Sequence, residues 1–296
     1  MQSTRIAEAT DDRPDTGNDA LRAKLHRMWD TVAPGWAAHA DYIDRRAAEL
    51  TRGLLDLGAP RPGDRVLELA CGPGGLGLAA APRVAPDGEV VLSDVAPQMT
   101  AIAAARATAL GIDNVSARVL DLEQIAEPDG SYDVVLCREG LMFATDPARA
   151  AREIRRVLRP GGRAALAVWG PRDRNPWLGL VFDAVSAQLD APVPPPGIPG
   201  PFSLADADRL GTVLSGAGFA DVTVRELPVA LRAGSFEEWW SRTSTLSGPL
   251  AKTLASLPEP AVGKIRARLR EAVRQYETTV GLELPGVSLM VGGRIP

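Results

Sequence analysis

Residues 66–77 read VLELACGPGGLG. An apolar strand runs directly into a glycine cluster, and Glu68 places a carboxylate inside that strand. Gly72, Gly74 and Gly77 have G-x-G-x-x-G spacing. Glycines at such a turn let the backbone approach a ligand closely, and the helix that follows presents free amides to it. Two ligand classes suit the loop. A dinucleotide would set its pyrophosphate on those amides, where a neighbouring carboxylate is unfavourable. A ligand with no phosphate, carrying a positive sulfur and a free ammonium group, would be favoured by Glu68.

Outward from this stretch, short apolar strands alternate with helices. DRVLELAC, EVVLSD, VSARVLD, SYDVVLC and RAALAVWG read as strands. GLGLAAAPRVA, PQMTAIAAARATALG and DPARAAREIRRVLRPGG read as helices. Pro97 opens the second of these and Gly111 ends it. For the third, Asp146 is the expected N-cap, and Pro160-Gly161-Gly162 is the expected stop. Such alternation predicts a mostly parallel sheet covered on both faces. Before it, residues 21–58 have helical spacing, with a break expected at Pro34-Gly35 and an end at Gly58. After it, the proline-rich residues 171–202 predict an insertion over the sheet edge. A helix, LADADRLGTVLSGAGF, and a strand, VTVRELPVAL, come next. Residues 235–278 read as largely helical, within an insertion (235–286) before a last strand, GVSLMVGG. In that insertion Val262, Ile265, Leu269, Val273 and Tyr276 form an apolar stripe. The expected organisation is a disordered polar lead (1–20), a helical arm (21–58), a nucleotide-binding core (59–170), and the rest of the sheet with its substrate-covering insertions (171–296).

The chain has 296 residues and a net charge of −4, with 45% hydrophobic and 24% charged residues. A balance of this kind fits a globular protein and disfavours a nucleic-acid partner. Two cysteines, Cys71 and Cys137, and two histidines, His26 and His39, provide neither a disulfide scaffold nor a structural zinc site. No apolar run reaches the ~20 residues that span a bilayer, and the N-terminus has no signal-peptide pattern, so a cytoplasmic location is expected.

VLELACGPGG resembles the first motif of the class I S-adenosylmethionine-dependent methyltransferases, with Ala70, Gly72 and Gly74 in its small positions. The resemblance continues in order through VVLSDVAPQM, ARVLDLEQI, SYDVVLCREGLMF and EIRRVLRPGGRAALAVW. It is close over residues 60–170 and loose beyond, and it is nearest to the ubiquinone/menaquinone-type small-molecule enzymes, whose arm MWDTVAPGW resembles. It implies a Rossmann-like sheet of seven strands. It also implies a cofactor site in which Glu68 serves the ammonium end, Asp94 and Val95 the ribose, and Met99 the adenine face. In that site Asp121 and the Leu122 amide bind the adenine edge, and Cys137 and Arg138 line the methionine end. Asp94 alone would also suit a dinucleotide fold, which places an acid about 20 residues beyond its glycines.

The implied reaction is methyl transfer to a small acceptor, with S-adenosylhomocysteine as product and oxygen favoured over carbon or nitrogen. Alternatives are another chemistry on the same scaffold, or a non-catalytic partner that binds the same ligand. Methyl transfer from a sulfonium needs alignment and exclusion of water more than a strong base. The candidate base is His39, three residues from both Trp36 and Tyr42, and its bland alternative is a helix-packing histidine. Six tryptophans lie mostly in the segments expected over the strand ends. With Trp36, Tyr42, Arg138 and Trp169 as substrate candidates, they predict a lipophilic acceptor pocket. No metal is expected, and the assembly is expected to be a monomer or homodimer.

Overall fold

The computed structural model describes residues 16–296. Three helices lead the chain: α1 (Thr16–Ala38), α2 (Ala40–Arg46) and α3 (Ala48–Gly58). Residues 1–15 of the expected lead lie outside the described residues, and residues 16–20 belong to α1. The break expected at Pro34-Gly35 falls instead at His39 and again at Ala47. Pro34 sits inside α1 at the cost of one helical hydrogen bond. Beside it, a Cβ on Gly35 would lie 2.5 Å from Thr245 Cγ2, so α1 packs closely on a later helix at this point.

The core follows as β1 (Arg65–Leu69), α4 (Gly75–Val84), β2 (Glu89–Asp94), α5 (Pro97–Ala109), β3 (Val115–Val119), β4 (Tyr132–Arg138), α6 (Pro147–Val157) and β5 (Leu158–Trp169). Asp146 caps α6 as expected, its carboxylate accepting from the Arg149 amide at 2.9 Å. The remainder runs α7 (Pro176–Leu189), α8 (Ala207–Gly216), β6 (Ala220–Pro228), β7 (Leu231–Ala233), α9 (Phe236–Leu246), α10 (Gly248–Ala255), α11 (Glu259–Val273), β8 (Glu277–Thr278), β9 (Gly281–Leu284) and β10 (Val287–Arg294).

Seven strands form one sheet in the order β3-β2-β1-β4-β5-β10-β6. β1 to β5 are parallel, and β10 runs antiparallel to both β5 and β6. The expected Rossmann-like fold is therefore present. Strand order reverses between β1 and β4, which opens a crevice at their carboxyl ends. Strand parity divides the core. Leu67 and Leu69 face a cluster with Ile154, Val157 and Phe182, while Val66 faces Leu50, Leu54 and Leu76 of α3 and α4. Glu68 has the parity of Val66, so its side chain points toward α4.

Two elements differ from the sequence reading. Pro160-Gly161-Gly162 lies inside β5, which begins at Leu158 and pairs with Tyr132 before the register shifts. The stretch VTVRELPVAL is divided after Pro228: β6 joins the main sheet, and β7 joins β9 and β8 in a second, three-stranded sheet. The segment expected to be a helical insertion therefore ends in a hairpin. Its apolar stripe is real, with Ile265, Leu269 and Val273 buried on α11, which packs against α7.

Candidate cofactor and acceptor site

The loop after β1 uses three left-handed residues at alternate positions: Ala70 (φ +51°), Gly72 (φ +52°) and Gly74 (φ +85°). Glycine takes this conformation without strain, whereas Ala70 adopts it against its Cβ. Asp94, at the end of β2, fixes the loop. Its Oδ2 accepts from the Gly72 amide and its Oδ1 from the Ala96 amide, both at 3.0 Å. Burial raises the Asp94 carboxyl above its ordinary range, against the lowering effect of these amides.

Glu68 does not line the cavity, which corrects the expectation that it meets the ligand. It is 1% exposed, and its Oε2 accepts from the Gly77 amide at 2.8 Å. Gly77 is the third residue of α4, so Glu68 satisfies one of the free amides of that helix end. Burial pushes its carboxyl up to about 8, with the Arg138 charge acting the other way. The carboxylate in the strand thus secures the helix behind the glycine loop. Gly74 is likewise a turn residue behind the cavity wall: a Cβ there would lie 3.0 Å from Ala103 Cβ.

Around the loop opens a cavity whose empty volume, mouth included, is about 1600 Å³. Ala70, Gly72, Asp94, Val95, Met99, Asp121, Leu122, Arg138, Trp36, Tyr42 and Trp169 line it together. One Asp121 oxygen accepts from the Glu123 amide at 2.8 Å, and the other lies 3.3 Å from Arg22 Nε and 3.6 Å from His26 Nε2. Burial lowers the His26 pKa, with Asp121 opposing.

At the exit of β4 the cavity is lined by Arg138, Glu139 and Gly140 rather than by Cys137. Cys137 is buried behind them, and burial pushes its thiol up to about 12. A Cβ on Gly140 would lie 2.8 Å from Cys137 Sγ and 2.4 Å from Ala70 Cβ, so this strand exit is pressed onto the glycine loop. Arg138 donates to Thr51 Oγ1 at 2.7 Å and to Asp44 Oδ1 at 3.4 Å.

The cover comes from the arm and the insertions. The Trp36 ring lies over Gly72, whose Cβ would be 3.6 Å from it, and its Nε1 donates to the Leu246 carbonyl at 3.1 Å. Trp29 packs edge-on against Phe143 at 4.8 Å, and Trp169 lies tilted against Trp177 at 4.7 Å. The Arg242 guanidinium lies 3.9 Å over the Tyr42 ring. His39 is not among the lining residues. The α1–α2 break falls on it, so residues 36, 39 and 42 do not share one helix face. Sequence reasoning missed Arg22, Arg46, Glu139, Phe143 and Phe182, all of which line the cavity. For Glu139 a signal existed in its place beside Arg138 at the strand exit. Phe143 lies in the same stretch, five residues beyond Arg138, and for Arg22, Arg46 and Phe182 only the folding of the arm and α7 over the sheet brings them in.

The methyltransferase-domain family model matches residues 66–162. The chain is 36% identical over 198 residues to nocamycin O-methyltransferase of Saccharothrix syringae, a match covering 64% of this chain and 70% of that one. It is 30% identical over 240 residues to the ubiquinone/menaquinone biosynthesis C-methyltransferase UbiE of Azotobacter vinelandii, covering 74% and 84%. For other UbiE enzymes the match spans 59% or 61% of the relative. Among solved structures, the YcgJ protein of Bacillus subtilis superposes with a TM-score of 0.59 at 20% identity, over 83% of this chain and 97% of that one, which is a likeness of fold. The family match falls on the loop and strands that floor the cavity, and the chain belongs to the class I S-adenosylmethionine-dependent methyltransferases.

Proposed function

We propose that the protein transfers the methyl group of S-adenosylmethionine to a hydroxyl of a small acceptor with an apolar body. Bound S-adenosylmethionine supplies a methyl group already activated on positive sulfur. The residues present fit it. Asp94 orients the loop amide of Gly72 and keeps lone pairs for the ribose hydroxyls. Met99 and Leu122 offer apolar contact to the adenine, and Asp121 offers an acceptor at its edge. Arg138 offers a cation at the methionine end. Glu68 holds the loop and helix from behind, and His39 has no part.

The observation that carries the acceptor class is the apolar wall of the cavity: Phe143, Trp169, Trp177, Leu178 and Phe182 line it together with the glycine loop. We take the arm and the two insertions as its cover, closing the reacting centre to water. The O-methyltransferase relative supports oxygen, and the UbiE relatives keep carbon as the competing reading. The test is incubation with S-adenosylmethionine and a panel of phenols, naphthols and enols, read by product mass and fragmentation. A methyl ether supports the proposal. A ring-methylated product assigns carbon, and no S-adenosylhomocysteine above background with any acceptor refutes transfer to this class.

A further inference from the structure

The ion pair between Glu139 and Arg46 joins the exit of β4 to the arm. Arg46 Nη2 donates to Glu139 Oε2 at 3.0 Å, and both side chains are 11% exposed. The Arg46 guanidinium lies 4.7 Å over the Trp169 ring, on the apolar wall of the cavity. The pair is not closed. Glu139 Oε1 and Arg46 Nη1 are both buried without a hydrogen-bond partner. One acceptor and one donor are therefore left over at one place, and a buried polar atom without a partner is costly. Glu139 also holds a left-handed backbone, φ +63°, which a residue with a Cβ takes only under constraint. Its amide donates to the Ala167 carbonyl at 2.8 Å, which fixes it there.

The oxygens of the other acids lining the cavity all have partners within the protein. Both oxygens of Asp94 accept loop amides. Asp121 is held by the Glu123 amide, Arg22 and His26. Both oxygens of Glu123 accept from Thr145, and one also from the Asp146 amide. Of the cations, Arg138 is engaged with Thr51 and Asp44, and Arg242 is paired with Glu238. Among the described residues that line the cavity, Glu139 is the carboxylate with a buried oxygen that has no hydrogen-bond partner.

We propose that Glu139 is the general base for the acceptor hydroxyl and that Arg46 is its positioning residue. This rests on the reading of the site as an O-methyl-transfer centre. A hydroxyl seated against Trp169 donates to Glu139 Oε1 and accepts from Arg46 Nη1. As its oxygen bonds to the methyl carbon, the carbon–sulfur bond breaks and its electron pair passes to sulfur, giving a neutral thioether. The hydroxyl proton passes to Glu139 Oε1 and leaves to solvent with product release. The acceptor is thereby an aryl or enol hydroxyl, whose planar body stacks on the tryptophans while its oxygen meets the pair.

The test uses 1-naphthol and 1-methoxynaphthalene as probes of the protein saturated with S-adenosylhomocysteine. The native protein binds the hydroxyl compound at least about tenfold more tightly than the ether, and Glu139→Gln and Arg46→Lys abolish that preference. In methyl transfer to 1-naphthol, Glu139→Gln lowers turnover about a hundredfold or more. The affinity of the variants for S-adenosylhomocysteine stays within about twofold of native, showing that fold and cofactor loop are intact. No preference in the native protein, or a preference or turnover that survives Glu139→Gln, overturns the assignment. Native protein that prefers the hydroxyl yet forms no methyl ether overturns the O-methyl reading alone and leaves the pair as a hydroxyl-binding site.

Discussion

Two helical glycines show how differently the core and the cover are built. A Cβ on Gly77 of α4 would lie 2.2 Å from Leu92 Cδ2 and 2.6 Å from Glu68 Oε2, both on buried strand residues behind the cofactor loop. A Cβ on Gly35 of α1 would lie 2.5 Å from Thr245 Cγ2, a half-buried side chain on a separate helix. The first contact is internal to a strand–loop–helix unit and has nowhere to move. The second lies between two helices of the cover, where a rotamer change or a small shift can absorb it. Binding of the cofactor depends on the first kind of packing, and admission of the acceptor on the second.

The same substitution at the two glycines tests this contrast. Alanine in place of glycine favours a helix by about 1 kcal/mol at either site, so the difference reports the neighbours. Gly77→Ala is expected to destabilise the protein by about 1–3 kcal/mol through overpacking, and to weaken S-adenosylhomocysteine binding along with it. Denaturant unfolding with and without that ligand checks both.

Glu68 gives a second, smaller effect confined to the core. Its folded carboxyl is pushed up to about 8 from an ordinary value of 4.5. Stability from this group is therefore fully present below the ordinary value and is lost as the pH rises through the folded one. Glu68→Gln keeps an acceptor for the Gly77 amide but cannot ionise. The melting temperature of the ligand-free native protein should fall relative to Glu68→Gln between pH 5 and about 8.5, with the two close at pH 5. Parallel melting curves across that range would show that Glu68 is not desolvated behind the loop.

The smallest effect is expected in the cover. Gly35→Ala should change stability by no more than about 0.5 kcal/mol, its helical gain offset by displacement of Thr245. A loss as large as that of Gly77→Ala would mean that the arm is packed as rigidly as the core, and the contrast would fall.

The two regions also differ in how much of them the sequence disclosed. β2 is bounded as read, and Asp146 caps α6 as read, because strand length and cap chemistry are local properties. Ala70, Gly72, Asp94, Val95, Met99, Asp121 and Leu122 meet at the cavity because each follows a strand end that the sheet brings to the same edge. Glu68 was seen, and its partner was mistaken: parity along β1 sends it to α4, and parity matters more than nearness in sequence. His39 failed for a related reason, since the argument from one helical turn needed a continuous helix where the chain breaks. The second sheet went unseen because β8 is two residues long and β7 three, too short to carry a period. Glu139 and Arg46 are 93 positions apart and meet only when the arm closes over the β4 exit.

The most direct test of the central claim, that the glycine loop and Asp94 form a site for S-adenosylmethionine and not for a dinucleotide, is calorimetric titration. Native protein and Asp94→Ala would each be titrated with S-adenosylhomocysteine and, separately, with NADH. The account predicts binding of S-adenosylhomocysteine to the native protein at about micromolar Kd, a loss of at least about a hundredfold in Asp94→Ala, and no binding of NADH. Binding of NADH by the native protein, or affinity for S-adenosylhomocysteine that Asp94→Ala leaves intact, would contradict it.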